Sequence, residues 1–156
     1  MLFVVALIGG AAAPLAATAG LPPLFGGSMA APRWAGLVLA LAGIAVTLTA
    51  QSAMGASWRV GVDAAERTEL VTDGLFAHVR NPVFTAMTCT AAGLVLMVPN
   101  LIAGLALVVL ILAIELQVRV VEEPYLSGVH GSAYDAYTTR AGRFIPGIGR
   151  RAGTGA

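Results

Sequence analysis

Lysine is absent from this 156-residue chain, and all nine of its positive charges are arginines. Charge of either sign is scarce. Only 11% of residues are charged, where a soluble domain carries about 25%. The net charge of +1 and the lack of any basic run exclude a phosphate-tracking surface, so no nucleic-acid partner is expected. A single cysteine, Cys89, rules out an intrachain disulfide and a cysteine metal cluster. It lies in an apolar run and reads as a small packed residue, and no metal site is expected. No positive charge precedes Arg33, so the apolar start, residues 1–19, lacks the charged beginning of a cleavable signal peptide and is expected to stay as a helix.

What is present is apolar. Hydrophobic residues make up 58% of the chain, and the mean hydropathy is +0.85. A bilayer span needs roughly 20 apolar residues, and four stretches approach that: about 2–19, 34–54, 82–98 and 101–121. The segment 20–33 holds Pro22, Pro23, Gly26 and Gly27 and reads as a loop. From Asn81 to Ile114 no charge occurs, and Pro99-Asn100 supplies a turn inside that run. The expectation is an all-α, polytopic transmembrane bundle of about four spans. It includes a helical hairpin over about 82–121 and a cytosolic C-terminal helical segment, within one membrane domain covering 1–156.

The charges cluster in 55–80 and beyond 115. Asp63 and Glu66 have the spacing of a capping box for a short helix over 64–70, and Thr72-Asp73-Gly74 reads as a turn. Arg59, Arg67 and Arg80 follow the second span, and Arg119, Arg140, Arg143, Arg150 and Arg151 lie at or beyond the end of the fourth, against Arg33 alone on the other side. Positive charge collects in cytoplasmic loops, so both termini are expected in the cytoplasm, with both polar segments at one membrane face.

Ionisable groups at bilayer boundaries are costly and are functional candidates by default. Glu115, Arg119 and Glu122 share one helical face, and Glu123 lies beside them. Arg80 can grip a carboxylate or phosphate with two parallel hydrogen bonds. His78 is a candidate base or donor, and Asn81-Pro82 opens the third span. Ser132 reads as the cap of a short helix carrying Tyr134, Tyr137 and Arg140 at three-residue intervals. The bland alternatives are a structural ion pair at a helix end and an interfacial helix with an aromatic anchor.

Several segments together resemble a known family. Trp58-Arg-Val-Gly-Val62, Glu69-Leu-Val-Thr-Asp-Gly-Leu-Phe76, Val79-Arg-Asn-Pro-Val-Phe84, the Glu122-Glu123 pair, Gly131, Tyr134, Tyr137 and Arg143-Phe-Ile-Pro146 are similar to the isoprenylcysteine carboxyl methyltransferases of membranes. The resemblance covers about 54–147 and treats that stretch as a catalytic core, with two N-terminal transmembrane helices over 1–53. Asn81 stands where the family has His, Phe84 where it has Tyr, and His130 where it has Phe.

The resemblance implies methyl transfer from S-adenosylmethionine, with S-adenosylhomocysteine as product, to a lipophilic or lipidated acceptor in contact with membrane lipids. It implies a site with Arg80, Glu122 and Glu123 as catalytic groups. His78, Asn81, Pro82, Phe84, Tyr134 and Tyr137 would lie against the cofactor. A carboxylate acceptor would need no base, whereas an amine or phenol would need His78 or a glutamate. The expected location is a bacterial inner membrane. Rival readings are a phospholipid N-methyltransferase, an NADPH-dependent sterol or enone reductase, and a small membrane adaptor without enzymatic activity.

Overall fold

A computed structural model describes residues 1–54 and 69–152. The Trp58–Val62 motif and the expected capping box at Asp63 and Glu66 lie outside the described residues. The helices are α1 Leu2–Thr18, α2 Ala30–Met54, α3 Pro82–Met97, α4 Leu101–Leu116, α5 Glu123–His130 and α6 Ser132–Arg140. A 3₁₀ turn covers Gly74–Ala77, and a π-helical segment, Gln117–Glu122, joins α4 to α5. Among the described residues, β-type pairing is limited to two isolated bridges, Val79 with Gly142 and Ile145 with Ile148. The all-α class expected from the sequence is the one observed.

Among the described residues, two helical stretches are long and apolar enough to cross a bilayer: α2, with 25 residues, and the continuous path Leu101–His130, with 30. α1 and α3 are shorter apolar helices of 17 and 16 residues. Thirty helical residues extend about 45 Å, more than the roughly 30 Å of hydrocarbon. The apolar run that begins at Leu101 is therefore used up near Val120, and Glu122 and Glu123 stand beyond it. The π segment has a wider turn than the 3.6-residue helix before it. Around it Val118 is buried, Arg119 is exposed, and Glu115 and Glu122 are half-buried.

The chain divides into two compact units, Met1–Ala45 with Ala86–Leu116, and Val46–Thr85 with Gln117–Ala156. In the first unit the buried hydrophobic residues are alanines apart from Ile114, and most large ones face outward. Ala6, Ala13, Ala40, Ala86, Ala103 and Ala113 are buried, while Leu101, Leu105, Val108 and Leu112 form an exposed stripe along α4. Such a stripe would be an aggregation patch in water. In lipid, burial of large apolar groups brings no advantage and helices associate through close backbone approach instead. α2 and α3 do this where Gly36, Ala40 and Gly43 meet Gly93, Thr90 and Ala86. A Cβ built on Gly36 falls on the Gly93 carbonyl, and one built on Gly93 meets the Gly36 carbonyl and the Ala40 backbone.

The Pro99-Asn100 turn expected from the sequence connects α3 to α4, and Asn100 makes it rigid. Its Oδ1 accepts the Ala103 amide at 3.0 Å, capping α4, and its Nδ2 donates to the Ala13 carbonyl of α1 at 2.7 Å. Both groups sit in a side chain that is 1% exposed.

Gly93→Val is expected to lower the thermal midpoint of the detergent-solubilised protein through overpacking of about 1–3 kcal/mol, whereas Gly128→Ala, which meets open space, leaves it level or slightly higher. Asn100→Ala costs about 1 kcal/mol for the cap and removes the tie to the Ala13 carbonyl of α1. Asn100→Asp keeps the cap acceptor but turns the buried donor into a carboxylate oxygen facing the Ala13 carbonyl, so it too melts below the parent in the same assay.

Candidate active site

The second unit is organised by one acid. Beyond the apolar run, Glu123 opens α5 with Pro124 next to it, and its carboxylate meets three guanidinium groups. Arg80 Nη2 donates to Oε1 at 2.9 Å. Arg143 is bidentate, with Nε to Oε1 at 2.7 Å and Nη2 to Oε2 at 3.0 Å. Arg151 Nη2 reaches Oε2 at 3.3 Å. The arginines grade from a buried Arg80 side chain, 2% exposed, to Arg151 at 41%. Asp135 approaches Arg151 at 3.7 Å but is largely in solvent.

Arg80 is placed by its backbone as well as by this pair. Its amide donates to the Gly142 carbonyl at 2.8 Å, and the Gly142 amide donates to the His78 carbonyl at 3.0 Å. Gly142 has no alternative residue type here, because a Cβ would strike the Ile145 and Ile148 carbonyls. The Arg80 fork then gathers the C-terminal chain: Nη1 donates to the Thr138 and Ala141 carbonyls at 3.1 and 2.8 Å, and Nη2 also to the Gly149 carbonyl at 3.1 Å. Its Nε is buried and has no acceptor among the described residues.

The tyrosines pack under this cluster. Tyr134 and Tyr137 are 1% and 3% exposed and meet edge to face, with ring centroids 6.3 Å apart. The Tyr137 hydroxyl donates to the Phe76 carbonyl at 2.7 Å, fixing the 3₁₀ turn that follows Asp73. The Arg151 guanidinium lies 6.0 Å from the Tyr134 ring centroid, within cation–π reach. Burial pushes the Tyr137 hydroxyl up to about 12. It therefore keeps its proton at neutral pH and cannot serve as a base.

Burial opposes ionisation of Glu123. The hydrogen bonds and charges of Arg143 and Arg80 outweigh it and hold the carboxyl down at about 2. Glu122 behaves oppositely: burial raises it, and a hydrogen bond with Gln117 lowers it by less.

The arrangement brings together Arg80, Glu123, Tyr134, Tyr137 and Asn81, whose Nδ2 donates to the Arg143 carbonyl at 3.0 Å. Pro82 is buried in the first turn of α3, and Phe84 is half-buried. Glu122 shares no hydrogen bond with Arg80; its partner is Gln117. His78 is exposed, with Nδ1 at 3.4 Å from the Gly74 carbonyl. Ser132 is not a cap. It is the first residue of α6, preceded by Gly131 at φ 52°, and Arg140 is exposed rather than sharing the buried side of the tyrosines. Arg143, Arg151 and Thr85, whose hydroxyl donates to the Phe144 carbonyl at 2.8 Å, were not among the expected site residues. Four arginines within a 12-residue tail facing an acidic pair were the available signal.

With this geometry in place, the relationships of the chain are informative. The helical membrane fold is shared with the solved structure described as the eukaryotic intramembrane Ras methyltransferase, isoprenylcysteine carboxyl methyltransferase. The TM-score is 0.68 at 22% identity, over 77% of this chain and 45% of that one. The chain belongs to the phospholipid methyltransferase family, whose model matches residues 31–133. It thus spans less than half the length of its structural relative, and none of the curated proteins compared with it matches.

Replacing Glu123 with Gln removes the counter-charge that Arg80, Arg143 and Arg151 share. Breaking a buried pair in this way costs about 3–5 kcal/mol, read as a lower thermal midpoint and faster proteolysis of residues 141–151. Glu122→Gln is expected to leave both readouts nearly unchanged. The Glu123 contribution is complete above the ordinary carboxylate value of about 4.3 and is lost as pH falls toward about 2. The stability gap between the parent and Glu123→Gln should therefore close across that window and stay constant above it.

Proposed function

We propose that the chain is an integral-membrane, S-adenosylmethionine-dependent methyltransferase acting on a lipophilic acceptor, with a carboxylate favoured, at the cytosolic face of a bacterial inner membrane with both termini cytoplasmic. The catalytic core lies within about 54–147. The observation that carries this reading is the Arg80–Glu123 pair at 2.9 Å. It joins two motifs 43 residues apart, each ambiguous alone, in a chain of the phospholipid methyltransferase family.

The residues fit the cofactor. Three guanidiniums face one buried carboxylate, which leaves surplus positive charge for the carboxylate of an amino-acid moiety. The buried Nε of Arg80 is a donor without an acceptor among the described residues. Arg151 and Arg143 would hold the carboxylate, and the buried Tyr134 would support Arg151 through their cation–π contact. Bound there, the sulfonium would supply an electrophilic methyl group and leave as a neutral thioether.

All four hydrogen bonds of Arg80's Nη groups go to Glu123 and main-chain carbonyls. Its role in this reading is to position the C-terminal segment rather than to grip the acceptor. Orientation alone can contribute about 7–11 kcal/mol to such a displacement. Tyr137 holds its proton, so it shapes the pocket without moving one. His78, exposed, and Glu122, raised by burial, are the groups able to take a proton from an amine or phenol. A carboxylate acceptor would need neither.

Calorimetry on detergent-purified protein should show saturable S-adenosylhomocysteine binding. Arg151→Gln should weaken it about 10–100-fold, the loss of one charge-assisted hydrogen bond, with little change in thermal midpoint because Arg151 is the most exposed of the three. Binding of NADPH and none of S-adenosylhomocysteine would overturn the reading in favour of a reductase. Binding of neither would favour an adaptor.

A further inference from the structure

The first unit contains a feature that methyl transfer does not use. A cavity of about 400 Å³ lies among α1, α3 and α4, lined among others by Ala6, Gly10, Ala13, Leu94, Ala103 and Leu107. That volume is in the range of small-molecule sites, roughly 300–1,000 Å³, and every lining residue is apolar. A second cavity of about 370 Å³ shares Pro14, Met97 and Val98 with it. The second has three polar side chains in its wall: Thr18, Asn100 and Arg33.

Two of those three are already satisfied. The Thr18 hydroxyl donates to the Leu15 carbonyl at 2.8 Å, and Asn100 is fully engaged with Ala13 and Ala103. Arg33 is exposed, and no carboxylate pairs with it among the described residues. The first unit contains one acid, Glu115, near the C-terminal end of α4, while the cavity mouth is at the N-terminal end of that helix. An apolar slot thus opens on a guanidinium with free donors.

We infer that this slot binds one anionic phospholipid, with an acyl chain in the inner cavity and the phosphate held by Arg33. The anionic class follows from charge. Arg33 supplies the counter-charge for a phosphate, whereas the ammonium of a zwitterionic headgroup finds no acid at this end of the unit. The inference depends on the membrane reading and not on methyl transfer.

Trp34, 68% exposed and next to Arg33, reports on the site. The full-length protein carrying Trp58→Phe, so that Trp34 is the one tryptophan, is reconstituted in phosphatidylcholine vesicles. A minor fraction of either brominated phosphatidylglycerol or brominated phosphatidylcholine is included. Quenching by the anionic lipid should saturate and exceed that by the neutral one, with the preference of about tenfold expected from one charge-assisted bond. Arg33→Gln should erase the preference and Arg33→Lys should keep most of it. Gly10→Leu fills the inner cavity without a clash, since a Cβ there meets nothing within 4 Å, and should also erase it. Equal quenching by both lipids in the parent, or a full preference in Gly10→Leu, would overturn the proposal, the latter by showing surface attraction alone. S-adenosylhomocysteine binding by Arg33→Gln should match the parent, so failure here is distinguishable from failure of the functional reading.

Discussion

The second unit depends on the contact between the Glu123 carboxylate and three arginines. An isolated ion at a membrane boundary would neutralise or drag in water, because its desolvation costs several kcal/mol. Glu123 avoids this by accepting hydrogen bonds from Arg80, Arg143 and Arg151. Its two oxygens are filled from chain segments 43, 20 and 28 residues away. One carboxylate therefore closes three loops, and the excess of cations over anions gives the site its polarity. The surrounding elements follow from this: α5 starts where the acid must stand, and the tail after α6 folds back so that Arg143 and Arg151 can reach it.

The first unit solves a different problem with different chemistry. Hydrocarbon solvent removes the reward for hiding large side chains, so its cohesion comes from glycine and alanine contacts and from one buried amide. Asn100 joins α1 to the start of α4 with two hydrogen bonds. In an apolar setting an unpaired amide is more costly than in water, so a fully satisfied one both stabilises the turn and specifies it.

Much of this was legible in the residues. Four apolar runs, the Pro99-Asn100 turn and the charge-free stretch from Asn81 to Ile114 indicated the helices and their ends to within a few residues. Arg80 and Glu123 were legible because charge at a bilayer edge is rare. What could not be read has a common physical cause. The Arg80 fork binds carbonyls, and every residue type carries one, so Thr138, Ala141 and Gly149 had no distinguishing signature. Arg151 resembled the positive charges that orient any membrane protein, and Arg143 stood in the Arg143-Phe-Ile-Pro146 segment of the family resemblance with no site role attached to it. The π segment arose in a stretch, Gln117-Val-Arg-Val-Val-Glu122, whose composition suits an ordinary helix. The separation of Glu122 from the cluster, despite its adjacency to Glu123, follows from helical rotation that places neighbouring side chains on different faces.

Recognition through main-chain oxygens has an evolutionary corollary. Because Arg80 reads carbonyl positions and not side chains, what the fork requires at 138, 141 and 149 is the path of the chain. Glycine holds that path at 142, where a Cβ would strike neighbouring carbonyls, and at 147 and 149, whose φ angles of 79° and 76° other residues rarely adopt. Length is therefore the inherited quantity in this tail. A single inserted or deleted residue between 141 and 149 would move the carbonyls out of reach of the fork.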